Sequence, residues 1–163
     1  MENLLRKIYQ MPKLYKALII ISKLIVLVTL PAFILLVWHN YTASPICAIT
    51  VCVICGMPFA VVTLLRRMID LPRPYEIYDF YEVAPKNKKG KSFPSRHAFS
   101  IFIIATVMLL SYPAVAALLF ALGVLLSVCR VLTGIHFVRD VVTGALLCVI
   151  SGGLGILSIA LFL

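Results

Sequence analysis

Five stretches of nearly uninterrupted apolar residues, at about 17 to 38, 45 to 65, 97 to 112, 113 to 130 and 140 to 162, constrain this chain more than any other feature. A helix rises 1.5 Å per residue and the hydrocarbon core is roughly 30 Å thick, so about 20 apolar residues make one crossing. With 63% of its 163 residues hydrophobic and a mean hydropathy of +1.08, the chain is too apolar for a water-soluble domain of this size. In hydrocarbon every backbone N–H and C=O must be satisfied within the chain, which at these lengths means helices. The expected fold is therefore all-α: a polytopic membrane bundle of about five transmembrane helices, forming one domain over residues 1 to 163. The third stretch is short, and only Tyr112 and Pro113 part it from the fourth, so the two read as a tight helical hairpin.

The first apolar run follows Arg6, Lys7, Lys13 and Lys16, but it is too long for a signal-peptide core and lacks a small-residue cleavage site near Trp38. It is read as a span. Leu4, Leu5, Ile8, Met11 and Leu14 or Tyr15 recur at near-helical spacing among these basic residues, which predicts an interfacial helix over 1 to 16 that Pro12 kinks or divides. The five cysteines all fall in or at the ends of apolar spans and read as small buried hydrophobes; Cys52 and Cys55 form a C-x-x-C with no second pair or histidine nearby.

The formal net charge of +9 is one-sided. Apart from Lys23, every lysine and arginine lies in the N-terminal segment, in 66 to 96, or at Arg130 and Arg139, and five alternating spans bring all of these to one membrane face. By the excess of Lys and Arg on cytoplasmic loops, that face is expected to be cytoplasmic, in a multi-pass cell-membrane protein. The run KNKKGK (86 to 91) reads as a solvated loop near lipid headgroups, with the gathering of anionic substrate as the alternative.

Three polar segments occupy this face. In RRMIDLPRP (66 to 74), Arg66 and Arg73 lie seven apart, and Pro72 and Pro74 stiffen the chain around the second guanidinium. An arginine gives phosphate two parallel charge-assisted hydrogen bonds and keeps its proton; Arg67 reads only as a flanking charge. In SFPSRHAFS (92 to 100), Pro94 suits the first turn of a helix and Ser92 or Ser95 its cap. The helix start offers free N–H groups to an anion, Ser95 a hydroxyl, and His97 a proton for a leaving oxygen. In CRVLTGIHFVRD (129 to 140), His136 and Asp140 stand at i and i+4, expected on one face of the last helix. There the carboxylate holds one ring nitrogen while the other presents its lone pair. Arg130 returns toward the same face through a Thr133-Gly134 turn. The bland alternative is a set of caps and ion pairs at an interface, but ionisable groups beside a span tend to be functional.

With these segments placed, the chain resembles the type-2 phosphatidic acid phosphatase superfamily, whose pattern is K-x6-RP, PSGH and SR-x5-H-x3-D. Here the matching residues are Arg66-x6-Arg73-Pro74, Pro94-Ser95-Arg96-His97 and Cys129-Arg130-x5-His136-x3-Asp140, across 66 to 140. The resemblance implies that His136 is a nucleophile forming a phosphohistidine, Asp140 its orienting partner, and His97 the proton donor to the leaving oxygen and then the base for water. It implies that Arg66, Arg73, Arg130, Ser95 and the N–H of Arg96 hold the phosphate oxygens. Three residues depart from the pattern: Arg66 stands for lysine, Arg96 for glycine and Cys129 for serine. Members usually have six spans with the site facing outward.

The function expected is hydrolysis of a lipid phosphate mono- or diphosphate ester, such as phosphatidylglycerophosphate, phosphatidate or a polyprenyl (undecaprenyl) diphosphate. Its partners are then the bilayer and a lipid phosphate, with no nucleic acid, no metal site and no cofactor, because positioning and cationic neutralisation suffice for phosphoryl transfer. A non-catalytic anion-binding or transport protein is the alternative; a haloperoxidase filled by vanadate is a third reading. Gly144, Cys148 and Gly152, spaced by four on the last span, read as a surface for close helix packing, or else as a groove for lipid tails.

Overall fold

The computed structural model describes residues 1–80 and 89–162, with side chains placed through residue 157. All regular structure among them is helical: α1 (Glu2–Tyr9), α2 (Pro12–Ala43), α3 (Pro45–Ile69), the single turn α4 (Pro74–Ile77), α5 (Arg96–Met108), α6 (Pro113–Leu132) and α7 (Val138–Phe162). Pro12, Pro45, Pro74 and Pro113 open α2, α3, α4 and α6 in the first turn, where a missing N–H is not needed. The N-terminal segment is divided rather than continuous: α1 ends at Tyr9, and Pro12 starts the first long helix, so residues 12 to 16 belong to the span.

Among the described residues, four helices are long and apolar enough to cross a membrane, beginning at Pro12, Pro45, Pro113 and Val138. The expected third span is the exception. It forms only the 13 residues of α5, because Leu109–Tyr112 leave the helix in a turn whose N–H groups reach back to Ala105, Val107 and Met108 carbonyls. At 1.5 Å per residue α5 is about 20 Å long. It is apolar on all sides, as a fully surrounded helix must be, and α2, α3, α6 and α7 all pack on it. Phe99, Ile101, Ile103 and Ala105 are completely or almost completely buried there. The outer helices turn Leu27, Leu30, Leu64, Leu146 and Val149 outward, the lipid-facing side of a bundle in a bilayer.

The small residues of α7 serve packing. A Cβ built on Gly144 would lie 2.7 Å from the Ser95 carbonyl oxygen, and one on Gly152 2.9 Å from Thr106 Cγ2. Between them, buried Cys148 places its Sγ 3.5 Å from Thr106 Oγ1. Their absence of bulk lets α7 lie directly on α5. All five cysteines are free thiols.

Alternation of the spans sets two mouths. One gathers α1, the end of α3, the starts of α5 and α7 and the end of α6. At the other, Tyr112 Oη shares a 2.8 Å hydrogen bond with His39 Nδ1, beside Trp38 and Tyr41, an aromatic set typical of a membrane–water interface.

Candidate active site

The site is built from loop ends at the first mouth. α6 stops at Leu132; Thr133 Oγ1 donates to the Cys129 carbonyl at 2.7 Å, and Gly134 takes φ 70°, the left-handed conformation that glycine adopts without strain. The turn then brings the Ile135 and His136 N–H groups back to the Arg130 carbonyl, at 3.0 and 3.2 Å, fixing His136 against the end of α6. His136 therefore precedes α7 instead of riding on it, which corrects the expectation of a shared helix face. The pairing survives: Nδ1 lies 3.4 Å from Asp140 Oδ2, with His136 1% and Asp140 0% exposed. Asp140 sits in the first turn of α7, where its Oδ2 also accepts from the Phe137 N–H at 2.9 Å, so one carboxylate both caps the helix and holds the ring.

Ser92 completes this arrangement. Its Oγ donates to Asp140 Oδ2 and stands 3.5 Å from His136 Nδ1, and the residue is wholly buried. Sequence reasoning offered Ser92 only as a helix cap. The N-cap of α5 is in fact Ser95, with no side-chain cap bond, and Pro94 lies ahead of the helix rather than in its first turn, in a cis Phe93-Pro94 peptide.

Ser95 is placed by its N–H, which donates to the Asp140 carbonyl at 2.9 Å, so the second and third segments are joined through backbone. Its Oγ is buried and has no hydrogen-bond partner among the described residues; the same holds for His97 Nδ1 and Arg130 Nε. Arg96 opens α5, where its N–H has no acceptor within the helix. Buried polar groups are nearly always paired in folded proteins, and these three, with Asp140 Oδ1, are the exceptions among the described residues, all at this mouth.

The first segment supplies the cations. Arg66, in the last turn of α3, donates to the Pro94 carbonyl at 3.2 Å and is 8% exposed. Arg73 Nε donates to the Gly90 carbonyl at 3.1 Å, and its guanidinium lies 5.7 Å from the Tyr75 ring centre. The Tyr75 N–H in turn donates to the Gly134 carbonyl at 3.2 Å, tying the arginine loop to the histidine turn. Around Arg73 the carboxylates are occupied by backbone: Glu76 accepts from the Gly90 and Arg73 N–H groups, and Asp70 from the Lys91 N–H. From the KNKKGK run, Gly90 and Lys91 thus shape the cradle, while 86 to 88 lie outside the described residues.

The three segments share one electrostatic environment. Arg66 lies in the field of Arg73, Arg96, Arg130 and Asp140, and His97 in that of Arg130, His136, Arg96 and Arg66. Burial lowers the His136 pKa from the ordinary histidine value, against the opposing pull of Asp140. Its ring is therefore neutral near pH 7, with Nδ1 turned to the carboxylate and the other nitrogen left to present a lone pair. Cys129 is buried at the last turn of α6. Among those residues, no three His, Cys, Asp or Glu side chains come together as a metal-binding group.

Solved structures of the same fold exist. LpxE of Aquifex aeolicus superposes with a TM-score of 0.66 at 25% identity, over 89% of this chain and 86% of that one. The first transmembrane PAP2-type phosphatidylglycerolphosphate phosphatase from Bacillus subtilis gives 0.75 at 20% identity, over 99% and 85%, a likeness of fold. No curated protein matches the chain. The model of the PAP2 superfamily matches residues 46–161, which run from the first turn of α3 to the last turn of α7 and include every side chain of the candidate site. The chain is a multi-pass membrane protein that belongs to the PAP2 superfamily.

Proposed function

We propose that this chain is a lipid phosphate phosphatase working through a phosphohistidine at His136. The observation that carries the reading is the buried Ser92–Asp140–His136 relay in the field of Arg66 and Arg73, with His97 in that of Arg130. With Nδ1 held by Asp140, Nε2 attacks phosphorus as the P–O bond to the lipid breaks. Arg66, Arg73, Arg130, Ser95 Oγ and the Arg96 N–H hold the three non-bridging oxygens, the preorganised neutralisation on which phosphoryl transfer depends. A bound phosphate adds negative charge beside His97 and favours its imidazolium, which gives its proton to the leaving oxygen. His97 then takes a proton from water as that water attacks phosphorus, the N–P bond breaks, and inorganic phosphate leaves.

A lipid-facing bundle supports a substrate whose phosphate lies at headgroup depth and is carried by hydrocarbon, as in phosphatidylglycerophosphate, phosphatidate or a polyprenyl diphosphate. Phosphate release from a panel of such lipids, with purified protein and chelator present, tests the reading. His136→Ala is expected to abolish release from every lipid while the variant still elutes as folded protein, and acid-labile label from substrate should appear on the wild type but not on that variant. Retained turnover would remove His136 as the nucleophile. A wild type that binds the lipids yet neither releases phosphate nor takes up label would make this a non-catalytic anion-binding protein.

A further inference from the structure

Arg96 is the one arginine of the site that this mechanism leaves idle. Its backbone N–H serves the cradle, but among the described residues its side chain makes no hydrogen bond or ion pair, and it is only half-buried. The His136 ring lies in the field of Arg66 and Arg73, while Arg130, itself in the field of Arg73, acts with Arg66 on His97 as well. Arg96 lies on the His97 side. It adjoins His97 at the first turn of α5, and its charge is felt by His97 and by Arg66. Since His97 protonates the leaving oxygen, the group beside Arg96 is the leaving group.

The charges of the bowl point the same way. Four arginines face one buried carboxylate, Asp140, which is already committed to His136, Ser92 and the Phe137 N–H, and whose other oxygen is 3.6 Å from exposed Arg139. Glu76 and Asp70 are exposed and used by loop backbone. That leaves an excess of about three positive charges among the described residues, whereas a single phosphate monoester brings about −1.5 to −2 at neutral pH. An anion with a further phosphate matches the excess better. An alkoxide leaving group needs only the proton of His97, while a departing phosphate gains charge on oxygens that a guanidinium fork stabilises directly.

We propose that Arg96 determines leaving-group specificity by binding the inner phosphate of a lipid diphosphate, so that the site cleaves a phosphoanhydride in preference to a simple phosphate ester. This rests on the phosphatase reading above. The terminal phosphoryl group sits among Arg66, Arg73 and Arg130, and His136 Nε2 forms the N–P bond. The anhydride P–O bond breaks, and the bridging oxygen departs with its electron pair as part of the lipid monophosphate held by Arg96. Water then releases inorganic phosphate from His136 as before.

The test compares one prenyl chain carrying either a diphosphate or a monophosphate, using the full chain in detergent and measuring kcat/KM for each. Wild type should favour the diphosphate, and Arg96→Gly should lower the diphosphate-to-monophosphate ratio about 100-fold, the typical effect of losing one preorganised donor. Arg96→Lys, which keeps the charge and loses the fork, should recover part of the ratio. An unchanged ratio, with both rates falling together, would make Arg96 a structural or general phosphate-binding group and overturn the inference. A rising ratio would make it an obstruction and overturn the inference equally. Wild-type inactivity on both lipids, in a preparation that binds them, would sink the phosphatase reading itself.

Discussion

Ser92 reaches across 48 residues to Asp140, and its Oγ is the second restraint on a carboxylate whose position decides where His136 points. Ser92→Ala leaves that carboxylate free to rotate within a buried space, and kcat should fall on the order of tenfold to a hundredfold, as when an orienting partner is lost. Ser92→Thr, which keeps a hydroxyl, should retain more activity than Ser92→Ala; equal loss in both would mean that packing rather than the hydrogen bond matters. The His136 ring itself predicts the pH profile. Because burial holds its pKa below 6.5, the nucleophile stays unprotonated to lower pH than an exposed histidine, and the acid limb of kcat/KM belongs below pH 6.5. The sign carries over to stability: between the folded value and 6.5 the unfolded chain binds more protons, so folding stability is full above about 6.5 and declines as pH falls. Arg66, Arg73, His97, Arg130, His136 and Asp140 were legible in the sequence because each lies within a short motif whose local spacing is itself the signal. Ser92 was named, but its contact was not legible, since nothing local says which of two serines beside a proline reaches Asp140.

Among the elements, α7 lies so close over the start of α5 that a methyl group matters. A Cβ on Gly144 would meet the Ser95 carbonyl at 2.7 Å, a backbone atom that cannot step aside, whereas one on Gly153 meets nothing within 4 Å. Gly144→Ala is expected to cost about 1–3 kcal/mol by overpacking and to impair phosphate release, because the displaced residue is Ser95. Gly153→Ala should be neutral or slightly stabilising. Thermal unfolding in detergent beside a release assay checks both. Helix α1 also reaches the site: Leu5, 1% exposed, packs with Tyr75, whose ring carries Arg73. Leu5→Ala should therefore lower kcat/KM as well as stability, while Leu4→Ala, at an exposed position, should do neither. The sequence showed the amphipathic pattern of this segment, but not where it docks, because an interfacial helix looks the same whether it rests on lipid or on protein.

For the whole molecule, hydropathy made the helical bundle readable, since hydrocarbon leaves the backbone few choices. It also overextended the third span: an apolar composition reports burial, and α5 is buried by its neighbours rather than by its length. Sidedness rests on charge. We propose that the mouth holding the site is cytoplasmic; with Lys89→Cys in a chain otherwise free of cysteine, an impermeant maleimide should label only inside-out vesicles, and labelling of intact cells would reverse the assignment. The 13 residues of α5 carry a final consequence. At about 20 Å against roughly 30 Å of hydrocarbon, it is a short post enclosed by tall ones, with no residue of its helix exposed. Lipid therefore meets the long helices and not α5, so turnover should change little between thin, short-chain membranes and thick, sterol-stiffened ones.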